Sequence, residues 1–327
     1  MSILTRSGIV LIEQPGGPAV LKYETIDLPA PASNEVLIEQ QAIAVNFLDV
    51  FFRSGRFPLP EYPAPIGLEA AGIVKAIGKG VTEFAVGDRI AYYATTGAYA
   101  QKRVISVDDI FRLPDTITFD VAAAVMVKGL TAKMLIRDSY KAKAGQYVLI
   151  SAMTGGVGTL LSAWVKSMGA IVIGTVGSPA KKQLAEERGF EHVIDLQNES
   201  LTERVNAITG GSGVDVVYDS VGKDIFDKSM ELIKTGGAFV SYGGASGWPE
   251  VESLPLAEKN IRFVSAQLNN YPGYQNKKGE ALKEVFEQIE KGIFDVQYPS
   301  VYSLADASVA HADMESRKTT GSIILRP

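Results

Sequence analysis

A glycine-rich turn is the first place where this sequence could do chemistry. The run Tyr147-Val148-Leu149-Ile150-Ser151-Ala152-Met153-Thr154-Gly155-Gly156-Val157-Gly158 sets small residues between a strand-like apolar stretch and a helix-like repeat. It is a variant of G-x-G-x-x-G in which Ala152 replaces one glycine. Glycines there allow a tight turn and let the backbone approach a pyrophosphate, while the first N–H groups of the helix face outward without intrahelical acceptors. Gly155, Gly156, Val157 and Gly158 are therefore the candidate pyrophosphate cradle. The plainer alternative is a turn that only lets strand and helix pack closely.

About 20 residues further on, such a site shows which dinucleotide it prefers. An acid there accepts from the ribose hydroxyls of NAD. Here the segment reads Thr175-Val176-Gly177-Ser178-Pro179-Ala180-Lys181-Lys182, with no acid and two lysines. That composition suits a 2′-phosphate, so NADPH is the expected cofactor, with Ser178 and Lys181 near it. Both lysines could equally lie on a solvated helix face. Lys128, beside Gly129 in an otherwise apolar helical stretch, is unusual for a core and is a candidate functional cation. Asn46 opens a short helical stretch, where it is either a functional amide or an ordinary N-cap. Phe51, Phe52 and Phe57 could line an aromatic cleft or simply fill a core.

The elements that must hold these residues change character along the chain. The first third reads as β structure, with segments at 8–12, 36–45, 72–77, 89–93 and 99–105 separated by Gly/Pro turns. One helical stretch at about 46–53 interrupts it. A helical pattern covers 119–140, and then strands and helices alternate. Strands are expected at 147–151, 171–176, 192–194, 214–218, 238–242 and 261–266, with helices starting near 157, 179, 201 and 223. This alternation predicts a doubly wound parallel sheet. Val157, Leu160, Leu161, Trp164, Val165 and Met168 fall on one helical face, the expected buried stripe. A helix at 278–291, a strand near 297–302, a short helix and a strand at 321–325 complete the chain.

Composition narrows the chemistry. The 327 residues suit two domains. There is no cysteine, which excludes thiolate metal sites, iron–sulfur clusters and a cysteine nucleophile. With only two histidines, His192 and His311, a multi-histidine zinc site is nearly excluded as well. A net charge of −5 with dispersed basic residues argues against a nucleic-acid partner. No apolar run approaches a membrane span, and the first 17 residues lack a secretory pattern, so a cytoplasmic location is expected.

Further blocks join the glycine turn: Asn46-Phe47-Leu48-Asp49, Arg53-Ser54-Gly55, Gly67-Leu68-Glu69-Ala70-Ala71-Gly72, Val86-Gly87-Asp88-Arg89, Lys128-Gly129-Leu130-Thr131, Tyr218-Asp219-Ser220-Val221-Gly222 and Glu315-Ser316-Arg317. Together, nearly end to end, they resemble the zinc-free quinone oxidoreductases (the zeta-crystallin branch) of the medium-chain dehydrogenase/reductase superfamily. The resemblance implies an α/β protein: a GroES-like β domain over 1–124 and 268–327, and a Rossmann domain with a doubly wound parallel sheet over 125–267. It implies NADPH-dependent reduction of a small-molecule quinone by a homodimer. Asn46, Lys128 and Thr131 would face the nicotinamide, Gly155 to Gly158 the pyrophosphate, and Lys181 the 2′-phosphate. Ser220, Tyr242, Gly243 and Gly244 would border the cofactor, with Arg317 reaching in from the tail. Zinc-dependent relatives carry histidine where this chain has Leu68.

The chain also departs from the family pattern. Met153-Thr154 stand where small residues are usual, Ala163 replaces a glutamine, and Leu196 replaces a tyrosine near the adenosine phosphate. Phe51 and Phe57 stand where relatives often have tyrosines at the substrate cleft. An alkenal or enoyl reductase of the same architecture is the nearest alternative. It would need a proton donor, for which Tyr92, Tyr93 and Tyr99 are candidates. A non-catalytic NADPH- or RNA-binding protein is the alternative from another class.

Overall fold

The computed structural model describes residues 5–251, 253–271, 278–296 and 300–327. Two compact units emerge, Met1–Val127 with Val296–Pro327, and Lys128–Asp295.

The first unit is built on β1 (Thr5–Ile12), β2 (Lys22–Leu28), β3 (Glu35–Val45), β4 (Ala64–Pro65), β5 (Glu69–Ile77), β6 (Arg89–Tyr93), β7 (Lys102–Ser106) and β8 (Ile110–Arg112). Two strands from the end of the chain, β15 (Ser300–Ser303) and β16 (Ile323–Arg326), complete it. The larger sheet runs β15-β16-β3-β5-β6-β8, with β7 also paired to β3, and a smaller sheet runs β2-β1-β4. Their inner faces bury Ile12, Ile38, Ile43, Ile66, Ile90, Tyr92 and Tyr99 in one core.

Strand β2 is absent from the sequence reading for a physical reason. Its residues KYETIDL are mostly exposed, so they carry no apolar alternation, and backbone pairing to β1 holds the strand instead. The strand expected at 99–105 begins only at Lys102, because Tyr99 and Gln101 pair with β1 through Val10 N–H to Tyr99 C=O and Gln101 N–H to Gly8 C=O, each 2.8 Å. The helical stretch near 46 is α1 (Phe47–Arg53). The longer one is α2 (Phe119–Met134), which ends in a π-helical turn, Leu135–Ser139, and the two units divide between its residues Val127 and Lys128.

The second unit holds a six-stranded sheet of β9 (Tyr147–Ile150), β10 (Ile171–Val176), β11 (His192–Asp195), β12 (Val214–Asp219), β13 (Ile233–Ser241) and β14 (Arg262–Ser265). Every pairing is parallel, in the order β11-β10-β9-β12-β13-β14. The chain therefore winds outward from β9 in one direction and restarts at β12 in the other. Ligands of open parallel sheets bind at the carboxyl ends of the strands beside this reversal. The connecting helices are α3 (Gly156–Ser167), α4 (Pro179–Glu187), α5 (Leu201–Thr209), α6 (Phe226–Glu231) and α7 (Ser253–Glu258), the last not expected from sequence. Leu160, Leu161, Trp164 and Val165 of α3 are buried, while Val157 and Met168 are half-buried at the ends of that stripe.

One boundary needs correction. The sequence reading places the stretch from 268 in the GroES-like domain, yet 268–295 belongs to the second unit. It contains α8 (Lys278–Glu290), whose Glu284 pairs with Lys133 at 3.4 Å and Arg137 at 2.8 Å. Val285 lies against Gly129, and the Phe294 ring meets Trp164 edge-on. Only 296–327, with α9 (Ala307–Glu315) and the two closing strands, returns to the first unit. Residues 297–299 of the strand expected near 297–302 lie outside the described residues; its remainder is in β15.

Candidate functional site

The second unit gathers most of the expected cofactor residues along one edge of its sheet. Segments 151–158, 177–182, 220–222 and 242–244 follow the carboxyl ends of β9, β10, β12 and β13 respectively. Gly155 is the N-cap of α3, and the first intrahelical bond runs from Thr159 N–H to Gly155 C=O at 2.9 Å. The N–H groups of Gly156, Val157 and Gly158 precede that bond, as a pyrophosphate cradle requires.

The turn before α3 is fixed by its neighbours. Ser151 Oγ accepts from Ser220 N–H at 2.9 Å, and Thr175 C=O accepts from Met153 N–H at 3.0 Å. Ala152 adopts φ 48°, the left-handed region, which explains why a glycine is usual there. At Gly158 a Cβ would lie 2.3 Å from Ala152 C=O, so only glycine lets the helix come this close. Met153 is accommodated by Gly174 of β10: a Cβ there would fall 1.8 Å from the Met153 sulfur. The large residue in the turn is thus matched by the absence of a side chain on the neighbouring strand.

The two lysines after β10 separate clearly. Lys182 Nζ is paired with Glu199 at 2.7 Å, and its hydrogen bond leads the causes that hold the Glu199 carboxyl below its ordinary range. Lys181 sits half-buried in the first turn of α4, where its N–H donates to Ser178 Oγ at 3.4 Å, an N-cap bond. Ser178 thus has a helix-capping role of its own.

On the other side of the reversal, Gly243 lies against Ser220, where a Cβ would be 2.9 Å from the Ser220 carbonyl oxygen. The Tyr242 hydroxyl is buried beside Ser220, and burial pushes it above the usual phenol range. In α2, Lys128 is buried and Thr131 half-buried.

The first unit holds Asn46 in a buried polar cluster. Asn46 is the N-cap of α1, and Asp49 closes a capping box with it. Beyond that cap, its Nδ2 donates to Glu69 Oε1 at 2.8 Å. Asp49 Oδ2 accepts from the Asn46 backbone N–H at 2.8 Å and from the Tyr99 hydroxyl at 3.1 Å. The Tyr99 oxygen lies 2.9 Å from His311 Nε2, and His311 Nδ1 lies 3.2 Å from Arg53 Nη1.

Arginine can only donate, so Nδ1 accepts and the His311 proton sits on Nε2. A single direction follows along the chain: Arg53 to His311, His311 to Tyr99, Tyr99 to Asp49. Arg53 also forms a bidentate pair with Glu315 at 2.8 and 2.9 Å. Burial, reinforced by the Arg53 charge, lowers the His311 pKa to about 3, so the ring is neutral. Burial and Asp49 raise the Tyr99 hydroxyl well above its ordinary range, which removes it as a ready proton donor. Tyr92 is raised as well, chiefly by burial.

Glu69, Tyr99, His311 and Glu315 entered the sequence reading without roles in this cluster. The visible signal was Asn46, Asp49 and Arg53 at i, i+3 and i+7, a polar stripe on an otherwise apolar helix. Phe51 is buried and Phe57 half-buried, their rings edge to face with centroids 5.4 Å apart. Phe47 and Phe52 extend this cluster, and Arg56 lies over Phe51 at 4.7 Å. Arg317, exposed, follows α9 in the left-handed region at φ 61°.

These residues do not fit a zinc ion. The chain has no cysteine, and both nitrogens of His311 are engaged. Among the described residues no cluster of three His, Cys, Asp or Glu could hold a metal, and no helix is long and apolar enough to cross a membrane.

A parallel dinucleotide-type sheet in one unit and a mainly β fold in the other define the class: a medium-chain dehydrogenase/reductase. Residues 32–115 match the alcohol dehydrogenase GroES-like domain, and residues 156–287 match the zinc-binding dehydrogenase family. A quinone oxidoreductase of Pseudomonas aeruginosa is 40% identical over 315 residues, 95% of this chain and 97% of that protein. The 2-haloacrylate reductase of a Burkholderia species is 36% identical, covering 97% of this chain and 98% of that one. The crystal structure of Escherichia coli quinone oxidoreductase complexed with NADPH superposes with a TM-score of 0.93 at 39% identity, covering 98% and 100% of the two chains. The chain belongs to the quinone oxidoreductase branch of that superfamily.

Proposed function

We propose that this protein is an NADPH-dependent quinone oxidoreductase that works without zinc. The observation that carries this reading is the nearly end-to-end 40% identity to quinone oxidoreductases. When bound, NADPH supplies the reducing equivalents. The α3 N–H groups at Gly156, Val157 and Gly158 bind the pyrophosphate, with Gly155 opening the turn. Lys181 and Ser178 take the 2′-phosphate, while Ser220, Tyr242, Gly243 and Gly244 border the cofactor. Asn46, Lys128 and Thr131 face its nicotinamide side, and Arg317 reaches in from the C-terminal tail of the chain. Phe51 and Phe57 orient the flat acceptor, and its oxygens take protons from water, since neither ring carries a hydroxyl. The same reading takes the enzyme as a cytoplasmic homodimer, which light scattering checks for oligomeric state.

A second reading, hydride addition to an activated double bond, is favoured by the 36% identity to 2-haloacrylate reductase. The test of the first is NADPH oxidation with ortho- and para-quinones before and after exhaustive chelation. Turnover that survives chelation is expected. Loss of turnover together with stoichiometric zinc would contradict the zinc-free mechanism.

A further inference from the structure

We infer that Asp219 is a positioning residue for the cofactor: its carboxylate ties down the turn after β12 and, with Ser151, joins that turn to the glycine turn after β9. This rests on the proposed cofactor site at the carboxyl edge of the sheet. Strands β9 and β12 are neighbours at the reversal, so the two turns flank the place where ligands of such sheets bind. Asp219, the last residue of β12, is fully buried. Its Oδ1 accepts from Val221 N–H at 3.0 Å, and its Oδ2 accepts from Gly222 N–H at 2.8 Å. Ser151, equally buried, accepts from Ser220 N–H at 2.9 Å and gives its own hydroxyl proton to the Asp219 carboxylate.

The N–H groups of Ser220, Val221 and Gly222 are therefore all turned inward. Successive backbone N–H groups form a concavity that takes an anion, and here the chain supplies its own in Asp219. The carbonyls are committed too: Ser220 C=O accepts from Ala245 N–H at 3.2 Å, and Val221 C=O accepts from Ser246 N–H at 2.8 Å. A Cβ at Gly222 would lie 2.1 Å from the Gly247 carbonyl oxygen, so the turn packs directly on 245–247. With its backbone used internally, this turn meets the cofactor through side chains, Ser220 above all. The α3 N-terminus meets it through N–H groups. Asp219 thus leaves the pyrophosphate to the α3 side and holds Ser220 in place before the cofactor arrives. A turn fixed in advance loses little conformational freedom when the ligand binds.

Asp219→Asn removes the carboxylate while keeping the shape of the side chain. An asparagine has one acceptor oxygen, so its NH2 must face the N–H of either Val221 or Gly222, donor against donor. The turn then shifts, and NADPH affinity falls. Ser151→Ala is the milder variant: both backbone bonds to Asp219 survive it, and only the link between the two turns is lost. A carboxylate that served the fold alone would lower melting temperature and kcat together and leave the affinity of the folded protein unchanged.

The experiment measures NADPH affinity by fluorescence quenching, kcat at saturating NADPH, and melting temperature for the parent, Asp219→Asn, Ser151→Ala and Lys181→Glu. Asp219→Asn should weaken NADPH binding at least about tenfold, the scale of one hydrogen bond to a charged group, with a smaller loss in kcat at saturation. Ser151→Ala should weaken NADPH binding at least about threefold. A folded Asp219→Asn protein that binds NADPH like the parent overturns the inference, whatever happens to its kcat and melting temperature. Ser151→Ala must weaken NADPH binding whether or not Asp219→Asn folds, and parental binding there overturns the joining of the two turns. Lys181→Glu tests the cofactor site separately. If it weakens NADPH binding and Asp219→Asn does not, the positioning role alone is rejected. If neither variant weakens NADPH binding, the proposed cofactor site fails, and the inference with it.

Discussion

Two side chains differ sharply in what their loss should do, although they are adjacent in sequence. Lys182 is committed to Glu199, a carboxylate that also accepts from Asp195 N–H at 2.9 Å and pairs with Arg204 at 3.1 Å. Replacing Lys182 should therefore cost stability and leave cofactor choice alone. Lys181→Glu should instead weaken NADPH binding by about 10- to 150-fold, from roughly 1.5–3 kcal/mol for a charged hydrogen bond, with little change for NADH. Titration with both cofactors checks this, and equal losses would contradict the assignment. His311 makes a different prediction. Its folded pKa of about 3 lies below the ordinary 6.5, so the unfolded chain binds a proton that the folded one refuses. Its contribution is complete above pH 6.5 and drains away as pH falls toward 3. Between pH 6.5 and 5 the loss is at most about 2 kcal/mol, at 1.36 kcal/mol per pKa unit. Melting curves of the parent and His311→Gln should therefore converge on acidification. Parallel curves would show that the ring does not stay neutral.

Elements were legible where burial wrote a period into the sequence. The alternation after residue 147 gave the parallel sheet, and the α3 stripe gave its best-buried helix. Strand β2 was silent because its side chains are exposed, and α6 starts at Phe226 rather than near 223 because Gly222, at φ 91°, turns the chain first. The placement of α8 was illegible for another reason: an amphipathic helix shows that it is covered without showing by what. Glu284, Val285 and Phe294 supply that answer through contacts distant in sequence. The glycine turn was legible as a motif. The Asn46–Glu69 bond was not, since it joins residues 23 apart through β3 and β5. Met153 departs from the family pattern, and the bare backbone of Gly174 on the neighbouring strand makes room for it. Gly174→Ala should therefore cost about 1–3 kcal/mol by overpacking, and Met153→Ala in the same chain should relieve part of it. Urea unfolding of the two single variants and the double measures the coupling, and strict additivity would show that the two positions do not share space.

For the molecule as a whole, the acceptor is what separates the two enzyme readings. The fold and the glycine turn are common to enzymes that reduce quinones and enzymes that reduce activated double bonds, so neither discriminates between them. The side chains proposed to face the acceptor are what should discriminate. Phe51 and Phe57 lack phenolic hydroxyls, and Tyr99 is locked between Asp49 and His311 with its proton held tightly. A quinone can draw protons from water after accepting electrons, whereas an enolate carbon benefits from a positioned acid. The most direct measurement is kcat/KM with NADPH for a para-quinone and for an α,β-unsaturated ketone on one preparation. A clear preference for the quinone is expected. A preference for the unsaturated ketone of about tenfold or more, some 1.4 kcal/mol in transition-state stabilisation, would contradict it and make the enzyme a double-bond reductase.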